Sequence, residues 1–115
     1  MSEENYVSSL NIQSWAQEDR PREKLLLKGK AALSDAELIG ILIGSGTKSQ
    51  NAVDLAKLIL QNVNNDLNEL AKLSVTDLMK RKGIGEAKAI SIVSALELGR
   101  RRKNSTPQKK DKITC

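Results

Sequence analysis

From residue 19 onward, apolar positions recur at helical spacing and are interrupted by glycines, asparagines and capping residues. Asp19-Arg20-Pro21-Arg22-Glu23-Lys24-Leu25-Leu26 reads as a helix start: Pro21 suits a first turn, and Asp19 is a candidate cap. Gly29 ends that helix. Ser34-Asp35-Ala36-Glu37 is a capping box, in which Ser34 accepts from the third amide and Glu37 reaches back to the cap. The box opens a helix over 35–43, whose Leu38, Ile39, Ile41, Leu42 and Ile43 predict burial on several sides. Gly44-Ser45-Gly46-Thr47-Lys48 stops it, and a third helix is predicted over about 50–63 from Ala52, Leu55, Ala56, Ile59 and Val63. Asn64-Asn65 breaks the pattern before a short helix over 66–72. Ser74 with Asp77 starts another helix over 75–81, and a long one follows over 86–102. No stretch reads as a strand. The expected fold is all-α, a compact bundle of about five helices over residues 19–103. Residues 1–18 lack periodicity and predict an arm that touches the domain through Leu10, Ile12 and Trp15. Residues 104–115 have the composition of a linker, for which disorder is expected.

The most informative stretch is Lys82-Gly83-Ile84-Gly85-Glu86-Ala87-Lys88-Ala89, between the last two predicted helices. Gly-apolar-Gly between helices predicts a tight hairpin. The two glycines supply backbone angles that a side chain would forbid, and Ile84 pins the turn to the core. The amides of Gly83, Gly85 and Glu86 then lie at a helix start, where unpaired N–H groups and the dipole favour an anion. Lys82 and Lys88 add charge on either side. This stretch resembles the helix-hairpin-helix motif, which holds nucleic-acid backbone without reading sequence. Lys82, Gly83, Gly85, Glu86 and Lys88 are therefore the candidate DNA phosphate-binding residues, with Arg81, Lys48, Arg100 and Arg101 as candidate further contacts. A glycine pair also serves as a plain corner between packed helices, and that reading stays open beside the first.

A repeat emerges when the two glycine turns are compared. Ser34 and Leu38 correspond to Ser74 and Leu78 forty residues on, and Gly44-Ser45-Gly46 to Gly83-Ile84-Gly85 at an offset of thirty-nine. Ala52 corresponds to Ala89 at thirty-seven. Each half is a cap, a short helix, Gly-x-Gly and a longer helix. Two pseudo-repeated helix-hairpin-helix units about a pseudo-twofold axis are expected, suited to gripping both strands of a duplex. Ser45 stands where the second half has its apolar pin, so the first hairpin is the poorer match. Chance similarity between two helix pairs is the alternative.

Composition narrows the chemistry. At 115 residues and 39% hydrophobic, the chain suits one small domain with a single core. Phe is absent and Trp15 and Tyr6 are the only aromatics, so the core must be aliphatic and stacking platforms for bases are missing. The longest apolar tract, 38–43, is far too short to cross a membrane, and no membrane partner is expected. Cys115 is the single cysteine and His is absent, which fits a reducing cytoplasm and removes the commonest general base and metal ligand. Neither a metal site nor a cofactor is assigned. Of the formal net charge of +5, residues 79–112 carry eleven Lys or Arg against three acids, whereas residues 1–78 carry eight against eleven. Such asymmetry points to a polyanionic partner, although charge runs also serve as solvated faces.

Glu18-Asp19-Arg20-Pro21-Arg22-Glu23-Lys24-Leu25, Leu33-Ser34-Asp35-Ala36-Glu37-Leu38, Gly44-Ser45-Gly46-Thr47-Lys48, Lys82-Gly83-Ile84-Gly85 and Ala95-Leu96-Glu97-Leu98-Gly99-Arg100-Arg101 together resemble the amino-terminal domain of the bacterial RadC family, traditionally labelled DNA repair proteins. The resemblance spans roughly residues 10–103. It implies a second domain, similar to JAB/MPN metal-dependent isopeptidases, whose zinc ligands are histidines and an aspartate. With no His in this chain, that site lies outside it, and the chain is expected to be the first half of a longer protein ending in an inter-domain linker. Sequence-tolerant binding of duplex or branched DNA is the leading expectation. A scaffold role, docking on the missing carboxy-terminal domain or another protein, is the alternative. Catalysis by this chain is not expected, because only Glu97 and Asp111 follow the hairpin and its first helix turn as candidate carboxylates.

Overall fold

The computed structural model describes residues 19–47 and 50–105. The expected arm, its three contact residues, Lys48 and the chain from 106 lie outside the described residues. Six α-helices and one 3-10 turn form the regular structure of the described residues, without strands. They are α1 (Pro21–Lys28), the 3-10 turn (Lys30–Ala32), α2 (Asp35–Ile43), α3 (Ala52–Gln61), α4 (Leu67–Ala71), α5 (Val75–Met79) and α6 (Glu86–Lys103). The bundle is all-helical as expected, and each of the six helical stretches read from the sequence is present. Asn64 and Asn65 adopt φ of 55° and 58° and turn the chain between α3 and α4, so that the single turn of α4 stands alone.

Local chemistry explains most helix starts. Ser34 accepts from the Glu37 amide while Glu37 accepts from the Ser34 amide at 2.8 Å, and Ser74 and Asp77 repeat that box before α5. Asp66 caps α4 by accepting from the Asn68 amide. Asp19 does not cap α1. The cap position is Arg20, with no side-chain cap bond, and Pro21 at the first helical position removes one of the amides that a cap would serve. Instead α1 is tied to the start of α2 by the Lys24–Glu37 ion pair at 3.0 Å.

The core is aliphatic and continuous. Ile39 and Ile43 of α2, Leu55, Ala56 and Ile59 of α3, Leu70 of α4, Leu78 of α5 and Ile92 of α6 share one cluster. Leu38 and Leu42, expected to be buried, are exposed on the outer side of α2. A nine-residue helix packed against α3 and α6 through one stripe leaves the residues a turn apart on the far side only partly covered, with Leu38 at 38% and Leu42 at 36% exposure. Gly40 sits where α2 meets α3: a Cβ there would lie 3.3 Å from Val53 Cγ2. The repeat therefore holds in the order of its parts, with box, helix, glycine corner and a buried small residue (Ala52, Ala89) in each half. It does not hold in register. α2 has nine residues to the five of α5, and Leu78 is fully buried where its counterpart Leu38 is not.

Candidate nucleic-acid interface

The corner between α5 and α6 is assembled by two backbone bonds and one apolar pin. The Arg81 amide donates to the Leu78 carbonyl at 3.0 Å and the Ile84 amide to the Arg81 carbonyl at 3.1 Å. Ile84 is buried, as expected, and burying such a side chain is worth about 1.5–3 kcal/mol. Gly83 has φ of 91°, a region that penalises side chains. A Cβ there would also lie 2.8 Å from Thr47 Cγ2 and 3.2 Å from Leu55 Cδ2, so this side of the corner rests on the first half of the domain.

Gly85 departs from expectation. Its φ of −86° and ψ of −175° form the extended backbone that any cap residue adopts, and a Cβ there would meet nothing within 4 Å. It is exposed, it is the cap of α6, and it offers no side-chain acceptor. The first bond of the helix runs from the Ala89 amide to the Gly85 carbonyl at 3.0 Å. The amides of Gly85, Glu86, Ala87 and Lys88 have no acceptor among the described residues. The corner thus has a sealed side at Gly83 and an open side at Gly85.

Cations surround the open side. Arg81 and Lys82 are exposed, with no ion pair among the described residues. Lys80 approaches Asp77 at 3.9 Å. The half-buried Lys88 folds back so that Nζ donates to the Gly83 carbonyl at 3.3 Å, clamping the turn. An ammonium carries three donors, so two remain for another acceptor. Glu86 sets an opposing carboxylate in the first turn.

The first glycine corner has the same parts and is closed. Asn51, only 5% exposed, accepts from the Asp54 amide at 2.8 Å and caps α3. The Thr47 amide donates to the Gln50 carbonyl at 2.7 Å, and the Gln50 amide to Thr47 Oγ1 at 3.2 Å. A Cβ on Gly46 would overlap the Gln50 carbonyl oxygen, so only glycine fits against the backbone there. A capped helix start has fewer amides to offer an anion.

Arg100 and Arg101 lie elsewhere, about 20 Å from the corner along α6 by helix rise. Both are engaged: Arg100 donates to Glu97 through Nε at 3.0 Å and Nη2 at 2.7 Å, and Arg101 through Nε at 2.9 Å. These two guanidinium groups hold the Glu97 carboxyl down at about 2. Arg102 and Lys103, outside the expected contacts, are exposed cations of that end without a side-chain partner among the described residues. The signal was available, since Glu97 stands three and four residues before Arg100 and Arg101. A cleft of about 410 Å³ opens separately, lined by Arg20, Pro21, Arg22, Gly40, Gly44 and Ala52 among others. It involves neither α5 nor α6.

This arrangement belongs to a known sequence family. The family model described as UPF0758 N-terminal matches residues 12–90. The chain belongs to the UPF0758 family. It is 58% identical over 107 residues to a UPF0758 protein of Flavobacterium johnsoniae, covering 93% of this chain and 46% of that relative. UPF0758 proteins of Porphyromonas gingivalis and of Staphylococcus aureus strain Newman are each 41% identical, over 91% of this chain and 47% and 46% of theirs. This UPF0758 chain therefore spans about half the length of the curated relatives it matches. No solved structure matches it. Among the described residues, no helix is long and apolar enough to cross a membrane.

Proposed function

We propose that this UPF0758 domain binds DNA through its phosphate backbone, without reading sequence, at the open side of the second glycine corner. Gly85, Glu86 and Lys88 supply main-chain donors, and Arg81, Lys82 and Lys88 supply charge. Gly83 and Ile84 hold the turn. The observation that carries the reading is the exposed, uncapped start of α6, beside two unpaired cations, in a domain whose matching helix start is capped by Asn51. Phosphate contacts position a protein and carry no base information, so little preference among sequences is expected. The setting implied by the resemblance is DNA repair, with this domain as the binding module of a longer RadC-like protein whose chemistry resides in its other half.

The test is a titration of isotope-labelled protein with duplex and branched DNA at several salt concentrations. Shifts centred on the amides of Gly85 to Lys88 are expected, with a log–log salt slope of about −2 to −4 for a few neutralised phosphates. Shifts confined to another face, or affinity indifferent to salt, would contradict the proposal.

A further inference from the structure

The outward face of α6 is unusual for a helix bordering solvent. From Ala89 to Leu96 the sequence carries no charge. One side of this stretch belongs to the core: Ala89 and Ile92 are buried, and Val93 and Leu96 pack against the cluster. At helical spacing the opposite side presents Ala87, Ile90, Ser94 and Leu98, all exposed, with Ile90 at 47% and Leu98 at 68%. A solvated face ordinarily carries charged side chains. Here cations appear only towards the ends, at Lys88 and from Arg100 to Lys103.

The geometry points to this face as the docking surface for the second half of the UPF0758 protein. The matching family model is the amino-terminal one, and the chain accounts for 46% of the Flavobacterium johnsoniae relative and 47% of the Porphyromonas gingivalis one. More than half of each relative's length lies outside the matched stretch, and because the matching model is the amino-terminal one, that remainder is placed beyond α6, near Leu98. A short tether raises the effective concentration of such a partner over this face. DNA suits the face poorly, because about 12 Å of helix offers no charge to a phosphate backbone. A second copy suits it poorly too. α6 carries Lys88, Arg100, Arg101, Arg102 and Lys103 against Glu86 and Glu97, so two copies face to face bring together surfaces of like net charge. This docking does not depend on the corner binding phosphate.

The experiment compares the 115-residue chain with a full-length chimera, in which the chain replaces the matched segment of the Flavobacterium johnsoniae relative. Cys115→Ser is made in both, with Ser94→Cys as the probe. Leu26→Cys on α1, where Leu26 is 83% exposed, is the control. Thiol labelling is followed by mass spectrometry on the peptide that holds each probe. Labelling at Ser94→Cys is expected to slow about tenfold or more in the chimera, while Leu26→Cys reacts equally in both proteins. Equal rates at Ser94→Cys, or equal slowing at both positions, would overturn the assignment. So would slowing in the 115-residue chain that grows with its own concentration, which would give the face to a second copy.

Discussion

At Gly83 a side chain would meet Thr47 and Leu55 in a backbone conformation that already disfavours it, whereas at Gly85 it would enter open space on an extended backbone. Two glycines one residue apart thus differ in what they contribute, one to the fold and one to the surface. Gly83→Ala is expected to cost about 1–3 kcal/mol of stability in urea denaturation, and Gly85→Ala less than about 1 kcal/mol. Equal losses would show that the corner is sealed on both sides. The pin at Ile84 was legible in the sequence because a lone apolar residue between two glycines has few other uses. The difference between the glycines was not legible. What a side chain at Gly83 would run into includes Thr47, thirty-six residues earlier in the chain.

Helix starts follow from short-range spacing, and this is the scale at which the sequence is most readable. Both capping boxes and the limits of α2 match the sequence pattern because cap and partner lie within one turn. Which face of α2 would be the less covered one was not readable, since Leu38 and Leu42 look like Ile39 and Ile43 until the packing of α3 and α6 is known. Asn51 is a buried cap, and Asn51→Ala is expected to lower stability by about 1–2 kcal/mol, measured by chemical denaturation. Glu37 joins the α2 box to Lys24. Burial pushes its carboxyl up, but bonds from the Ser34 amide, Lys24 and the Ser34 hydroxyl outweigh it and hold the group below the ordinary 4.5. A carboxylate with a lowered folded-state pKa contributes fully above its unfolded value and loses that contribution as pH falls through the folded one. Glu37→Gln is therefore expected to lower Tm at neutral pH and to flatten the decline of Tm on acidification below about pH 4.5. A parallel decline in both proteins would show that the pair adds nothing.

At the scale of the molecule, charge and open backbone coincide at the second corner. Eight of the eleven cations of residues 79–112 fall in the second corner and α6 among the described residues, and the corner is where unpaired amides meet unpaired side chains. The charge asymmetry could be counted from the sequence, and the spacing of Glu97 marks Arg100 and Arg101 as engaged, but the turn of Lys88 onto its own corner could not be read there. Glu97 holds Arg100 and Arg101, and Lys88 is turned onto the Gly83 carbonyl. Long-range attraction alone would therefore bind DNA loosely and anywhere on the basic side, whereas a built seat would depend on the amides at the start of α6. Gly85→Asn separates the two. It leaves the net charge at +5 and places at α6 the same cap that Asn51 gives α3, three residues before the amide it would occupy. The decisive measurement is DNA affinity of Gly85→Asn against the unaltered protein at matched salt, with thermal unfolding as the control. The expected result is unfolding stability unchanged or raised by a few tenths of a kcal/mol, with affinity lower by about tenfold. Unchanged affinity in a folded Gly85→Asn protein would contradict the claim that the open start of α6 seats a phosphate.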